Sequence, residues 1–164
     1  MTTSTQNKDS DLDRTFKVFL SGDGAVGQKG TIIKLDGNNL DDIVNMSKQS
    51  FGYTDTDMQY ISLCLKDGTC QYWGLRNNGM IIASIMTAIA IDNEQFIIID
   101  NLCRLQDDKY KGSGRILLTL LIDLIKKDKS IKNIQLTAHG DILATYYKSF
   151  GFIVMDNDNL MLKL

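Results

Sequence analysis

The apolar residues change period several times along the chain, and each change marks an element. Residues 16–20 and 31–35 are short β-prone runs separated by the glycine-rich stretch 22–30. That stretch is either a hairpin loop or the join between a tail and the first strand. From Asn38 or Asn39, either of which can cap a helix, Leu40, Ile43, Val44 and Met46 recur at helical spacing until Gly52. A second helix is predicted over 57–66, with Met58, Ile61 and Leu65 on one face and Gly68 as its stop. The period then drops to two. Residues 70–76 alternate, Asn77-Asn78-Gly79 is a tight turn, and 80–91 and 96–105 read as strands turned by Asp92-Asn93. Ile97, Ile98 and Ile99 are apolar on both parities, which predicts a central strand covered on both faces. Beyond Gly114, Leu117, Leu120 or Leu121, and Leu124 mark the buried stripe of a helix. Lys126, Lys127 and Lys129 gather at its C-terminal end, where the dipole favours cations. Residues 131–137 form a strand, Asp141 is a candidate N-cap, 143–150 a short helix closed by Gly151, and 152–155 with 160–164 a final hairpin.

The resulting order is β–α–α–β–β–β–α–β–α–β–β, an α+β fold with a mixed sheet. Three successive strands make an antiparallel meander, whereas 96–137 is a β–α–β crossover and requires parallel neighbours. The 164 residues suit a single domain, placed at 15–164, with the polar residues 1–14 as a disordered lead-in that lacks the apolar stretch of a signal peptide. Neither long apolar run, 80–91 or 116–125, reaches the roughly 20 residues of a membrane span. A soluble protein of the cytoplasm, with no membrane partner, is expected.

Composition narrows the chemistry. A net charge of −2 excludes a globally basic nucleic-acid binder, and the absence of proline excludes proline-rich ligand segments. The acidic residues are almost all aspartate, with Glu94 the single glutamate, which reads as compositional bias. Cys64, Cys70 and Cys103 form no CxxC pair, so neither a disulfide framework nor a zinc site is expected. His139 is the only histidine, which removes His-His metalloprotease spacing; no metal is expected. Charge is unevenly placed, however. Residues 109–132 carry seven basic and two acidic side chains, while residues 1–108 carry nine and fifteen. A compact basic stretch in an acidic chain suits a local anion site.

That stretch begins with Lys109-Tyr110-Lys111-Gly112-Ser113-Gly114-Arg115, between a strand and a helix. Amides of a first helical turn lack internal acceptors and point outward, where a phosphate can take them. Glycines 112 and 114 allow close approach, and Lys109, Lys111 and Arg115 add positive charge. A diphosphate suits this geometry; the plainer alternative is a glycine-bearing turn with solvated lysines. The loop is neither a P-loop nor a GxGxxG dinucleotide turn.

The spacing Lys109-x-x-Gly112-x-Gly114, followed by an apolar helix, resembles the [QR]xxGx[GA] acetyl-coenzyme A motif of the GCN5-related N-acetyltransferase family. Ala144-x-x-Tyr147-x-x-x-Gly151-Phe152 resembles that family's second signature, and the strand order is similar over roughly residues 31–164. The resemblance implies the family's acyl-coenzyme A N-acyltransferase fold, with acetyl-coenzyme A as cosubstrate. It also implies a pyrophosphate cradle made by the backbone of Tyr110, Lys111, Gly112, Ser113, Gly114 and Arg115. Lys109 stands where the family has Gln or Arg, and lysine lacks Arg's planar fork. The strands at 96–105 and 131–137 should splay, so that Leu102, Cys103, Arg104 and Leu105 offer backbone groups to the pantetheine arm. Arg104 replaces a small apolar residue and marks a local bulge or a shifted register. Cys103 reads as a buried small hydrophobe.

Tyr147 corresponds to a phenol that protonates the leaving thiolate, with Tyr146 as its neighbour. Asp100, where many relatives carry Glu, is either the general base or a carboxylate opening to solvent as the strands part. His139 is the second candidate base, and water the third. Phe51, Tyr53, Asp55 and Asp57 border the acceptor cleft, and their aromatic and acidic character suits a cationic amine: a polyamine, an amino sugar, a lysine or a peptide terminus. The expected activity is acetyl transfer to a primary amine in a ternary complex. A coenzyme A sensor, or transfer of another acyl group, is the alternative. A homodimer through the final hairpin is open.

Overall fold

In the computed structural model, residues 14–18, 28–52, 54–68, 70–91 and 95–164 are described. Strands β1 (Arg14–Val18) and β2 (Gln28–Leu35) precede two helices, α1 (Leu40–Phe51) and α2 (Asp55–Asp67). The meander β3 (Gln71–Asn77), β4 (Met80–Ile91) and β5 (Gln95–Arg104) follows. Then come α3 (Ser113–Ile125), β6 (Ile131–Thr137), α4 (Asp141–Lys148), β7 (Ile153–Asp156) and β8 (Asn159–Lys163). All eight strands join one sheet in the order β1-β2-β3-β4-β5-β6-β8-β7, in which only β5 and β6 pair in parallel.

The mixed sheet and its single crossover are as the periodicity predicts, and Met80–Ile91 and Ile131–Thr137 carry the predicted bounds. The sequence left the first strands undecided; the structure gives both β1 and β2, paired from Arg14↔Ile32 to Val18↔Gln28. Arg14 therefore belongs to the sheet and not to the lead-in, the rest of which lies outside the described residues. So do the Asp92-Asn93 turn and most of the 22–30 stretch.

Local chemistry explains the helix ends. α1 stops at Gly52 and α2 at Gly68, both in the left-handed region with φ near +65° and +68°. α2 begins two residues earlier than predicted, because Thr54 caps it. The Asp57 carboxylate accepts from the Thr54 amide (2.7 Å) and from the Thr54 hydroxyl (2.9 Å). Asp141 is not the N-cap of α4; Gly140 is, at φ +89°, and Asp141 is the first helical residue.

Two apolar clusters cover the sheet. One packs Leu117, Leu118 and Leu121 of α3 on Ile82, Ile97, Ile99 and Ile134, and the other packs Ile43 and Met46 of α1 and Ile61 of α2 on Leu35, Tyr72 and Met86. The pairs Leu117/Leu118 and Leu121/Ile122 repeat four residues apart, one helical stripe. Along β5 the expected double coverage fails at Ile98, which is exposed while Ile97 and Ile99 are buried. Only farther along does the second face find cover, where Cys103 enters the α1/α2 cluster.

Candidate functional site

The parallel ladder between β5 and β6 runs from Gln95↔Ile131 to Ile98↔Gln135 and ends there, although β5 continues to Arg104. The two strands therefore part beyond Ile98, as the resemblance implied. Past that point β5 is bulged. Met86 opposes Asp100 and Ser84 opposes Cys103, so Ile85 faces both Asn101 and Leu102. Asn101 takes the left-handed conformation at φ +52°, and its side-chain amide donates to the Tyr72 hydroxyl at 3.4 Å. The bulge thus lies at Asn101/Leu102 and not at Arg104. It reverses the strand's parity, sending Leu102 and Arg104 toward α3 and Cys103 toward α1.

A cleft of about 450 Å³ occupies this place. Its walls are Leu102 and Arg104 of β5, Lys111, Gly112, Gly114 and Arg115 at the start of α3, and Leu143, Tyr146 and Tyr147 of α4. Three of these are cations and none is a carboxylate, which suits an anion. Gly112 holds φ +91° as the N-cap of α3, a conformation glycine adopts without strain. The helical ladder starts with the Ile116 N–H on the Gly112 carbonyl (3.1 Å), so the amides of Ser113, Gly114 and Arg115 are those a helix leaves without internal acceptors. The Ser113 hydroxyl is buried at the same turn with no hydrogen-bond partner among the described residues. A backbone cradle at a cationic helix start fits a diphosphate-bearing cosubstrate.

Tyr147 is held edge-on between Tyr146 (ring centroids 5.1 Å apart) and Phe152 (5.9 Å). Burial pushes its phenol up to about 12, with the neighbouring Tyr146 and the Asp100 carboxylate adding to the shift. It is therefore protonated at neutral pH and able to donate. Burial also raises the Tyr146 phenol, against the Arg115 charge that lowers it.

The remaining sequence candidates have different surroundings. Asp100 is exposed on β5, where its carboxylate accepts from the Asn101 amide at 2.7 Å. It influences Tyr147 from the point at which the strands part. His139 is exposed beyond β6, and its Nδ1 lies 3.2 Å from Asp158 in the β7–β8 turn. Lys109 is off the cleft lining, folded toward Asp107 (3.6 Å) and over the Tyr110 ring (4.9 Å); these two neighbours raise its ammonium. The Arg104 guanidinium donates to the Leu105 carbonyl at 2.7 Å and braces the following loop. Burial raises the Cys103 thiol, whose sulfur lies 3.2 Å from the Ser84 hydroxyl, consistent with a packed and unreactive cysteine.

Around the α1–α2 connection, Phe51 is exposed at the end of α1, Asp55 lies 3.9 Å from Lys48, and Asp57 is engaged as the α2 cap, which lowers its carboxyl. Tyr53 lies outside the described residues. Leu143 and Tyr146 were not singled out for the cleft by sequence; the helical spacing 143, 146, 147 was the available signal. A larger cavity of about 840 Å³ lies at the other end of α3, beside Trp73, Leu121 and Leu124. Its one glycine, Gly68, closes the C-terminal end of α2 and opens no helix, and the Trp73 indole N–H is already satisfied by the Thr87 hydroxyl at 3.0 Å. Among the described residues no group of three or more potential metal ligands occurs, and no helix is long and apolar enough to cross a membrane.

No family profile matches the chain, and no curated protein matches it by sequence. Solved structures do. A possible acetyltransferase from Clostridium difficile 630 superposes with a TM-score of 0.68 at 20% identity, over 78% of this chain and 93% of the other. A predicted acetyltransferase from Clostridium acetobutylicum, solved with acetyl-CoA, gives 0.62 at 20% identity, over 78% and 92%. A GCN5-related N-acetyltransferase from Ralstonia eutropha JMP134 gives 0.61 at 15% identity, over 78% and 95%. At these identities the likeness is one of fold: the chain has the architecture on which those acetyltransferases are built.

Proposed function

We propose that the protein transfers an acetyl group from acetyl-coenzyme A to a primary amine, by direct attack within a ternary complex. The observation that carries this reading is the shared cleft. The glycine turn that can hold a diphosphate and the buried phenol that can serve a leaving sulfur line one cavity, at the point where β5 and β6 part. The amides of Ser113, Gly114 and Arg115, with Lys111 beside them, bind the diphosphate. The free edge of β5 beyond Ile98 offers N–H and C=O groups to the amide-bearing arm.

In the reaction the amine nitrogen forms a bond to the thioester carbonyl carbon and the carbon–sulfur bond breaks. An acceptor that arrives as an ammonium first gives one proton to a base to free its lone pair; the electron pair of the broken bond leaves on sulfur, and the nitrogen sheds its second proton to the solvent. Tyr147 faces that sulfur as a donor. With its phenol at about 12 against roughly 8.5 for a thiol, complete transfer runs uphill by about 5 kcal/mol. Its role in the unloaded electrostatic setting is therefore a strong hydrogen bond to developing thiolate charge. Part of the elevation comes from Asp100, and a cationic amine beside Asp100 removes that part, easing donation as the acceptor arrives. Asp100 is the proposed base, exposed at the strand divergence and electrostatically linked to Tyr147. His139, tied to Asp158, is the second candidate.

Calorimetric titration with acetyl-coenzyme A and coenzyme A, with NAD and ATP as controls, tests the reading, followed by a panel of primary amines. Selective binding with amine-dependent release of free thiol is expected. Binding without turnover of any amine would favour a sensor, and no binding by folded protein would refute the site.

A further inference from the structure

The Arg115 side chain does not point its charge freely into the cleft. Its guanidinium carbon lies 4.5 Å from the centre of the Phe150 ring and 5.2 Å from that of Tyr146. One of its nitrogens donates to the Ser149 hydroxyl at 2.7 Å, and that hydroxyl donates in turn to the Tyr146 carbonyl at 2.5 Å. Three contacts thus join the third residue of α3 to the last turn of α4, across 34 residues of sequence. Tyr146 stands edge-on to Phe150 at 5.2 Å and to Tyr147 at 5.1 Å, so the contact continues directly to the phenol.

α4 is a helix that needs such a tie. It has eight residues, none of them fully buried, and Gly140 supplies no side-chain cap. Ile142, in its first turn, is 87% exposed. A two-turn helix has little intrinsic stability, so its placement depends on tertiary contacts: Tyr146, Tyr147 and Phe150 pack against the α3 core, and Arg115 adds the polar tie at its end. Planarity matters as much as charge here. A guanidinium can stack on two rings while donating in its own plane, which an ammonium cannot reproduce.

We infer that Arg115 is a positioning residue: its side chain clamps α4 to the coenzyme-binding turn and so sets Tyr147, and it is not a phosphate ligand. The activity arm of this inference rests on the acetyl-transfer reading above. The clamp makes the loop that binds the cosubstrate and the helix that carries the donor one rigid unit, through a residue whose backbone amide serves the first and whose side chain serves the second.

The test compares Arg115→Gln and Arg115→Lys with wild type, alone and combined with Tyr147→Phe. Both single variants should lower kcat about tenfold, and Arg115→Lys, which keeps the charge at the cleft, should leave the Kd for coenzyme A within about twofold. In the Tyr147→Phe background, each should add less than about twofold, because the residue it positions is gone. An Arg115→Lys variant with wild-type kcat, a Kd raised about tenfold or more in Arg115→Lys, or effects that multiply with Tyr147→Phe would each overturn the clamp. Hydrogen–deuterium exchange on the ligand-free proteins supplies a readout independent of turnover. Residues 141–148 should exchange faster in both variants, with α3 unaffected; unchanged exchange would overturn the inference. If wild type neither binds coenzyme A nor acetylates any amine, the functional reading fails and the exchange result alone decides the clamp.

Discussion

Gly114→Ala separates what the glycine turn does for the protein from what it does for a ligand. Gly114 has no positive φ, unlike Gly112, so alanine fits its backbone. A methyl there would lie 3.8 Å from the Leu102 Cδ1 and 3.9 Å from its Cγ, ordinary van der Waals contact. Within α3 the change should stabilise the free protein by about 0.5–1 kcal/mol through helix propensity. For a chain of this size that corresponds to a rise in Tm of roughly 1–4 °C. The methyl would stand on the cleft wall beside Leu102, among the first-turn amides. A phosphate oxygen accepting from those amides at about 2.9 Å would be displaced. Losing one charge-assisted hydrogen bond costs about 1.5–3 kcal/mol, so the Kd for acetyl-coenzyme A should rise roughly tenfold to a hundredfold. Thermal denaturation without ligand and calorimetry with it read the two effects on one sample. An unchanged Kd in a protein at least as stable as wild type would refute the close approach of a ligand to this turn. A large fall in Tm would refute the account of Gly114 itself.

Tyr147→Phe should lower kcat by about tenfold or more with little change in coenzyme affinity, since it removes a hydrogen bond to charge that develops on sulfur; an unchanged kcat would end the donor role. Because the Tyr147 phenol is raised from about 10 to about 12, the folded state retains that proton where the unfolded chain loses it. Its stabilising contribution is thus complete below pH 10 and is lost as pH rises toward 12, and urea midpoints across this window should fall less steeply in Tyr147→Phe. Asp100→Asn should flatten the acidic limb of the rate profile, whereas a retained limb would shift the base role to His139 or water. Asp57→Ala removes the α2 cap and should cost about 1 kcal/mol in denaturant unfolding with KM for the amine unchanged. A raised KM would place Asp57 in the acceptor site.

What the sequence by itself determined is what arises locally. The apolar runs of β4 and β6 have their predicted bounds, and the stripe of α3 lies within one turn of its expected place, because strand-forming runs and helical spacing are set by neighbours along the chain. The glycine turn was legible for the same reason: a helix start, two glycines and nearby lysines are all encoded within seven residues. Only the tertiary structure decided which side chains the cleft receives. At the bulge that turns Leu102 and Arg104 toward α3, Asn101 meets Tyr72, 29 positions away. Ile98 is exposed between the buried Ile97 and Ile99, which its own apolar neighbours cannot report. Lys109 turned to Asp107 and Asp57 turned to Thr54 share one lesson. A charged side chain takes the nearest geometrically suitable partner, and residue type alone does not name that partner. Arg115 states it most plainly. Its position in a phosphate-binding pattern points to an anion, and its side chain also meets two rings and a hydroxyl at and just beyond the end of α4, because folding brings together groups that no sequence period relates.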